Sequence, residues 1–156
     1  MKVNLNEQKD LLNERIKDYN YEIQKENSVL MNSKLYIIFI KKANSFNLDG
    51  KFKELKRKLI ETNEINETNE HIKLFKDLNS EYVKIFENAK NTWNYYGLVL
   101  RNLDYNYSQF CLEKREDAYF NACKEVLNNV ILIYISYEKQ LDIINKKVKN
   151  LFINIS

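Results

Sequence analysis

The sequence predicts an all-α chain: an elongated antiparallel bundle of three long helices and one short basic helix, with coiled-coil-like packing. Three observations carry this expectation. The 156 residues contain no proline and only two glycines, Gly50 and Gly97. Average usage of about 5% and 7% would supply roughly eight and eleven. Proline removes an amide donor and glycine raises the entropy lost on ordering the backbone, so their scarcity leaves long stretches free to stay helical. Apolar residues recur at spacings of three and four through most of the chain, the period of a helix face. No segment keeps the strict alternation of a half-buried strand, and the β-branched runs lie inside helical patterns.

Taken in order, the first helix is expected over about residues 5–45, with Asn4 or Asn6 as its cap. Its apolar face reads Leu12, Ile16, Tyr19, Ile23, Leu30, Ile37 and Ile40, interrupted by Glu26 and Ser33. From Leu35 to Ile40 the apolar character spreads round the helix, which predicts burial on more than one side. Ser45 to Gly50 is the clearest turn, with its glycine as the marker. A short basic amphipathic helix follows over about 51–61, with Phe52, Leu55 and Leu59 on one side and lysines on the other. Residues 61–70 repeat Glu-Thr-Asn-Glu around a single apolar residue, Ile65, and read as an exposed acidic linker.

The second long helix is expected over about 71–104. Its face runs through Phe75, Leu78, Tyr82, Ile85, Ala89, Trp93, Tyr96, Val99 or Leu100, and Leu103. Gly97 interrupts it and is expected to be a close-packing or kink point. The third, over about 113–151, is the most regular: Tyr119, Ala122, Val126, Val130, Ile133, Tyr137, Leu141, Ile144, Val148 and Leu151. A chain of this size buries about 68–70% of its unfolded surface, so residues 1–156 are expected to form one helical domain. Helices this long leave second apolar stripes, which makes a homodimer one expected assembly.

Composition bounds function. Hydrophobic residues at 44% and charged residues at 30% describe a globular chain. Asparagine occurs 23 times and lysine outnumbers arginine 21 to 4, the mark of an AT-rich genome, so Asn and Lys abundance says little about activity. The longest apolar runs, Leu35 to Ile40 and Val130 to Ile135, fall far short of the roughly 18 residues of a membrane span. The first residues lack the apolar core of a secretory signal. The expectation is a cytoplasmic protein, of the producing cell or its host, without membrane contact. Cys111 and Cys123 have no histidine cluster nearby and read as reduced thiols.

Catalytic motifs are missing. His71 is the single histidine, so a Ser-His-Asp or Cys-His arrangement would have to use it, and its place between Glu70 and Ile72 at a helix entry favours an exposed or capping role instead. Thr68 occupies the position three before it, so the Glu-x-x-His pairs of helical di-iron sites are absent. Neither glycine belongs to a phosphate-binding cluster. No cofactor or metal is expected. An enzyme built from dispersed carboxylates is the least favoured reading and would need a concave pocket with convergent Asp and Glu.

Two segments are candidates for contact. Residues 41–58 hold seven positive and two negative side chains, against four glutamates and no lysine or arginine over 59–70. Lys51, Lys53, Lys56, Arg57 and Lys58 are the candidate contact for nucleic acid or an acidic partner; a solvated face screened by the linker is the plainer alternative. Trp93, Tyr95, Tyr96, Tyr105, Tyr107 and Phe110, interleaved with Asn94, Asn102 and Asn106, have the Tyr and Asn mixture of protein-binding surfaces, and Tyr95, Tyr105 and Tyr107 fall off the best apolar register, which predicts exposure; packing where the helices end is the alternative. The leading expectation is a non-catalytic protein–protein interaction module using these aromatics. A small inhibitor or accessory factor of phage or mobile-element origin, acting on a host protein, fits that description. A nucleic-acid binder, or a blocker of a nucleic-acid site, using residues 51–58 is the alternative.

Overall fold

The computed structural model describes residues 10, 12–19, 27–62 and 69–155. Among these, every regular element is a helix and none is a strand, as the scarcity of breakers predicts. Residues 10 and 12–19 are helical, and they are followed by α1 (Ser28–Ser45), α2 (Leu48–Glu61), α3 (Glu70–Tyr105), α4 (Tyr107–Leu112) and α5 (Glu116–Asn154). The chain divides into two compact units, Met1–Phe39 with Ala89–Ser136 and Ile40–Asn88 with Tyr137–Ser156. The long helices α1, α3 and α5 each contribute one segment to each unit. The expected caps Asn4 and Asn6, the apolar Ile23, and Ile65 of the acidic linker lie outside the described residues.

The helix expected over 5–45 does not run unbroken. Asn27 is non-helical and caps α1: its Oδ1 accepts the N–H of Leu30 and its carbonyl that of Met31, both at 2.9 Å. An asparagine here satisfies an amide that the first turn leaves orphaned, worth about 1 kcal/mol over alanine. The face of α1 also differs from the expected one. Met31, Leu35, Phe39 and Ala43 are buried, whereas Leu30 and Ile37 are about half exposed. Between Leu35 and Ile40 apolar residues surround the helix, so periodicity alone does not select a phase. The phase is set by contact: the Phe39 ring stacks on Tyr134 with centroids 5.3 Å apart.

Only Phe46 and Asn47 separate α1 from α2, so α2 begins three residues before the expected boundary. The left-handed residue of this turn is Asn47 (φ 50), and Gly50, the expected marker, lies inside α2 without a positive φ. Asparagine tolerates that conformation better than most residues. Gly50 matters for space instead, since a Cβ there would lie 2.9 Å from Asn47 Oδ1. Beyond the turn, Phe52, Leu55 and Leu59 are buried as predicted, joined by Leu48. Phe52 packs on Phe75 and Tyr82 at 6.0 and 5.3 Å. The Tyr82 hydroxyl donates to Asp49 Oδ1 at 2.9 Å, and burial together with that carboxylate pushes its phenol above the usual range.

Asn69 opens α3, its Oδ1 accepting the His71 N–H at 2.8 Å. Leu78, Tyr82, Ile85, Ala89 and Leu100 are buried along it, on the expected face. The helix continues through Gly97, where an added Cβ would meet only the Asn32 amide nitrogen, at 3.4 Å. That is a close approach which alanine can still occupy. Gly97→Ala is therefore expected to stabilise the chain by about 0.5–1 kcal/mol through helix propensity and a less disordered unfolded state. A rise in the urea midpoint at constant slope checks this, and a fall would show that Asn32 cannot yield.

The turn from α3 to α5 is built by hydrogen bonds. Asn106 closes α3, its N–H reaching Asn102 and Leu103 carbonyls at 3.2 Å. At the end of α4 the N–H of Lys114 bonds Cys111 at 3.1 Å and that of Arg115 bonds Phe110 at 2.7 Å, around a left-handed Lys114 (φ 56). This is a Schellman motif with lysine where glycine is usual, and Arg115 completes it by lying over the Phe110 ring at 5.8 Å. The third long helix thus begins at Glu116, not Glu113. Its buried face includes the expected Val130, Leu141, Ile144, Val148 and Leu151. Cys123, Leu127 and Tyr134 are buried where Ala122, Val126 and Ile133 were expected, a shift of one position beside another run that is apolar all round.

Candidate protein-binding surface

The basic segment is largely occupied with its own chain. Lys51 donates to Asn145 Oδ1 at 2.7 Å. Arg57 bridges Glu54 and Glu61, and this holds the Glu54 carboxyl below its ordinary range. The Lys58 ammonium lies 4.7 Å from the centre of the Phe152 ring. Lys53 and Lys56 are exposed.

Trp93 does not belong to an exposed surface. It is half-buried, stacks on Tyr36 at 4.7 Å with planes 5° apart, and donates its indole N–H to Ser33 Oγ at 3.1 Å. Its carbonyl accepts from the Asn32 amide at 2.9 Å. The helical spacing of Trp93 with Ala89 and Tyr96 placed it on the packed face, whereas the interface reading rested on composition. Tyr95 and Tyr96 form an edge-to-face pair at 4.9 Å, with Tyr95 the exposed member.

Two of the remaining candidates, Tyr107 and Phe110, come together on Tyr119. Tyr107 packs on Tyr119 at 4.6 Å and on Phe120 at 6.2 Å, and Phe110 lies 5.9 Å from Tyr119. Tyr119 anchors the group by donating its hydroxyl to Asp104 Oδ1. Burial, then bonding to Asp104 and Cys123, pushes the Tyr119 phenol above its ordinary range. The same turn carries exposed apolar side chains: Tyr105 is 88% exposed, Leu112 80%, and Phe120 more than half. Leu112 escaped the sequence reading because it ends a six-residue helix too short to show a period.

Beside them, the end of α3, α4 and the start of α5 enclose a cleft of about 700 Å³. Val99, Leu103, Phe110, Ala122 and Val126 line it together with the amides of Asn102, Asn106, Gln109 and Asn129 and the charged side chains of Glu113, Arg115 and Glu125. Glu113 accepts from Gln109 at 3.0 Å and Arg115 at 3.2 Å, which keeps its carboxyl below the usual range. The cleft therefore combines apolar side chains with amides able both to donate and to accept and with the charges of Glu113, Arg115 and Glu125, and its size lies within the usual range of ligand sites.

Both cysteines are free thiols, Cys123 buried and Cys111 half-buried. Among the described residues no group of three His, Cys, Asp or Glu side chains is arranged to hold a metal ion. Nor, among them, is any helix long and apolar enough to cross a membrane. Comparison with protein families, curated proteins and solved structures finds no match to this chain.

Proposed function

We propose that this chain is a non-catalytic protein-interaction module that binds a protein partner through the α3–α5 turn and its cleft. The observation that carries this reading is the exposure of Tyr105, Leu112 and Phe120 beside an amide-bearing cleft. Large apolar side chains left in water on a hydrogen-bonded turn gain free energy only when something covers them. Tyrosine and asparagine provide rigid contact area and adaptable hydrogen bonding, as in antibody loops. The occupant is accordingly a protein offering an apolar side chain flanked by main-chain or amide groups. A small inhibitor or accessory factor has this form. The basic segment supports a nucleic-acid reading less well, because Arg57 is bridged by Glu54 and Glu61 and Lys58 lies over the Phe152 ring.

The test is a triple variant, Tyr105→Ala, Leu112→Ser and Phe120→Ala. The changes at Tyr105 and Leu112 should each alter stability by about 0.5 kcal/mol or less, and Phe120→Ala, which also removes ring contacts with Tyr107 and Tyr119, should cost about 1 kcal/mol, so far-UV helicity should persist. Partners captured from a host extract are identified by mass spectrometry, purified and titrated against both proteins. The expected result is at least about a hundredfold loss of affinity, the scale of two or more interface hot spots. Equal affinity of the two proteins rejects this surface.

A further inference from the structure

In the second unit, α2 and α5 enclose a slot of about 370 Å³ lined by Lys51, Glu54, Val148, Lys149, Phe152 and Ile153. The lining surface is almost wholly apolar. The three charged residues therefore present their methylene stems to it and keep their charges at the rim. One of these charges is fixed in place: Asn145, only 8% exposed, holds the Lys51 ammonium through its Oδ1 at 2.7 Å. Desolvation and the neighbouring Lys149 charge both push the Lys51 amine below its ordinary range, so two like charges are crowded at one mouth. The carboxylate on the rim, Glu54, is already bridged by Arg57. Over residues 48–61 and 137–155 there are nine basic and five acidic side chains, so the surroundings reinforce the same sign.

We propose that this slot binds a single-chain anionic amphiphile, a medium-chain carboxylate, with its headgroup between Lys51 and Lys149 and its hydrocarbon on Val148, Phe152 and Ile153. Each part answers a feature of the site. The carboxylate accepts from two ammoniums that otherwise repel, and charge-assisted hydrogen bonds of this kind are the strong ones. The hydrocarbon covers an apolar surface that includes Ile153, 69% exposed. The size suits a small ligand, since pockets begin at about 300 Å³ whereas a stable protein interface covers about 800 Å² on each side. The slot is separate in sequence from Tyr105, Leu112 and Phe120, so it adds to the interaction proposed above without depending on it.

Isothermal titration and amide chemical shifts of the full chain, with octanoate and decanoate below their micelle-forming concentrations, test the proposal. The expected result is saturable one-site binding that perturbs Lys51, Lys149 and Phe152. Each added methylene should tighten binding about fourfold, while decyltrimethylammonium should not bind. Lys149→Glu and Ile153→Asp change exposed residues, leave helicity intact and should weaken decanoate binding at least about tenfold. Neither should alter capture of a protein partner by the α3–α5 turn. Absence of saturation, equal binding of the cationic amphiphile, or unchanged affinity in both variants would overturn the assignment. So would binding to phosphatidylglycerol vesicles without binding to free decanoate, which would make the site a membrane surface.

Discussion

Replacing Phe39 with alanine is expected to lower the stability of this chain by about 4 kcal/mol, whereas Ile37→Ala should cost about 1 kcal/mol. Phe39 is fully buried and stacked on Tyr134, and Ile37, two positions away, is about half exposed. Alanine at 39 leaves a cavity that neighbouring side chains fill only in part, and the unsupported ring of Tyr134 adds to the loss. For a chain of this size a loss of that order lowers the melting temperature by about 8–16 °C. Urea denaturation of the two variants measures the difference directly. The opposite order would restore the face on which Ile37 was expected to point inward.

Trp93→Ala should be the next most damaging change, at about 3 kcal/mol, near the lower end for large aromatics because the ring is only half-buried. It removes the stack on Tyr36 and the hydrogen bond to Ser33 together. Trp93→Phe separates the two contributions. The phenyl ring keeps most of the stacking, so the cost should fall to about 1 kcal/mol, the usual net worth of one hydrogen bond. That milder variant should bind any partner of the α3–α5 turn as tightly as the parent does. A Trp93→Phe protein that is fully stable yet has lost its partner would return the indole to the interface.

These two cases show what was legible in the sequence. Helix was, because missing proline, scarce glycine and period-3.6 spacing agree over dozens of residues, and Phe52, Leu55 and Leu59 were assigned to the core correctly. Phase was not legible where a helix is apolar all round, as from Leu35 to Ile40, since the choice of inner face there depends on Tyr134, about a hundred residues away in the chain. Turn geometry was misread for a related reason. Glycine is the usual left-handed residue, but Asn47 and Lys114 adopt that conformation here, each supported by surrounding hydrogen bonds. Of the candidate interface, Tyr95, Tyr105 and Tyr107 were identified as exposed because they fall off the apolar register. Leu112 and the cleft depend on how α4 is held between two longer helices, which no local pattern encodes.

Trp93 is the single tryptophan of the chain, and it lies in the first compact unit. Its fluorescence therefore senses melting near Tyr36 and Ser33, while circular dichroism at 222 nm averages over the helices of both units. Followed together on one sample, the two signals measure cooperativity without any label. Coincident transitions identify an all-or-none fold, and separated ones assign a distinct melting point to the unit that carries the indole.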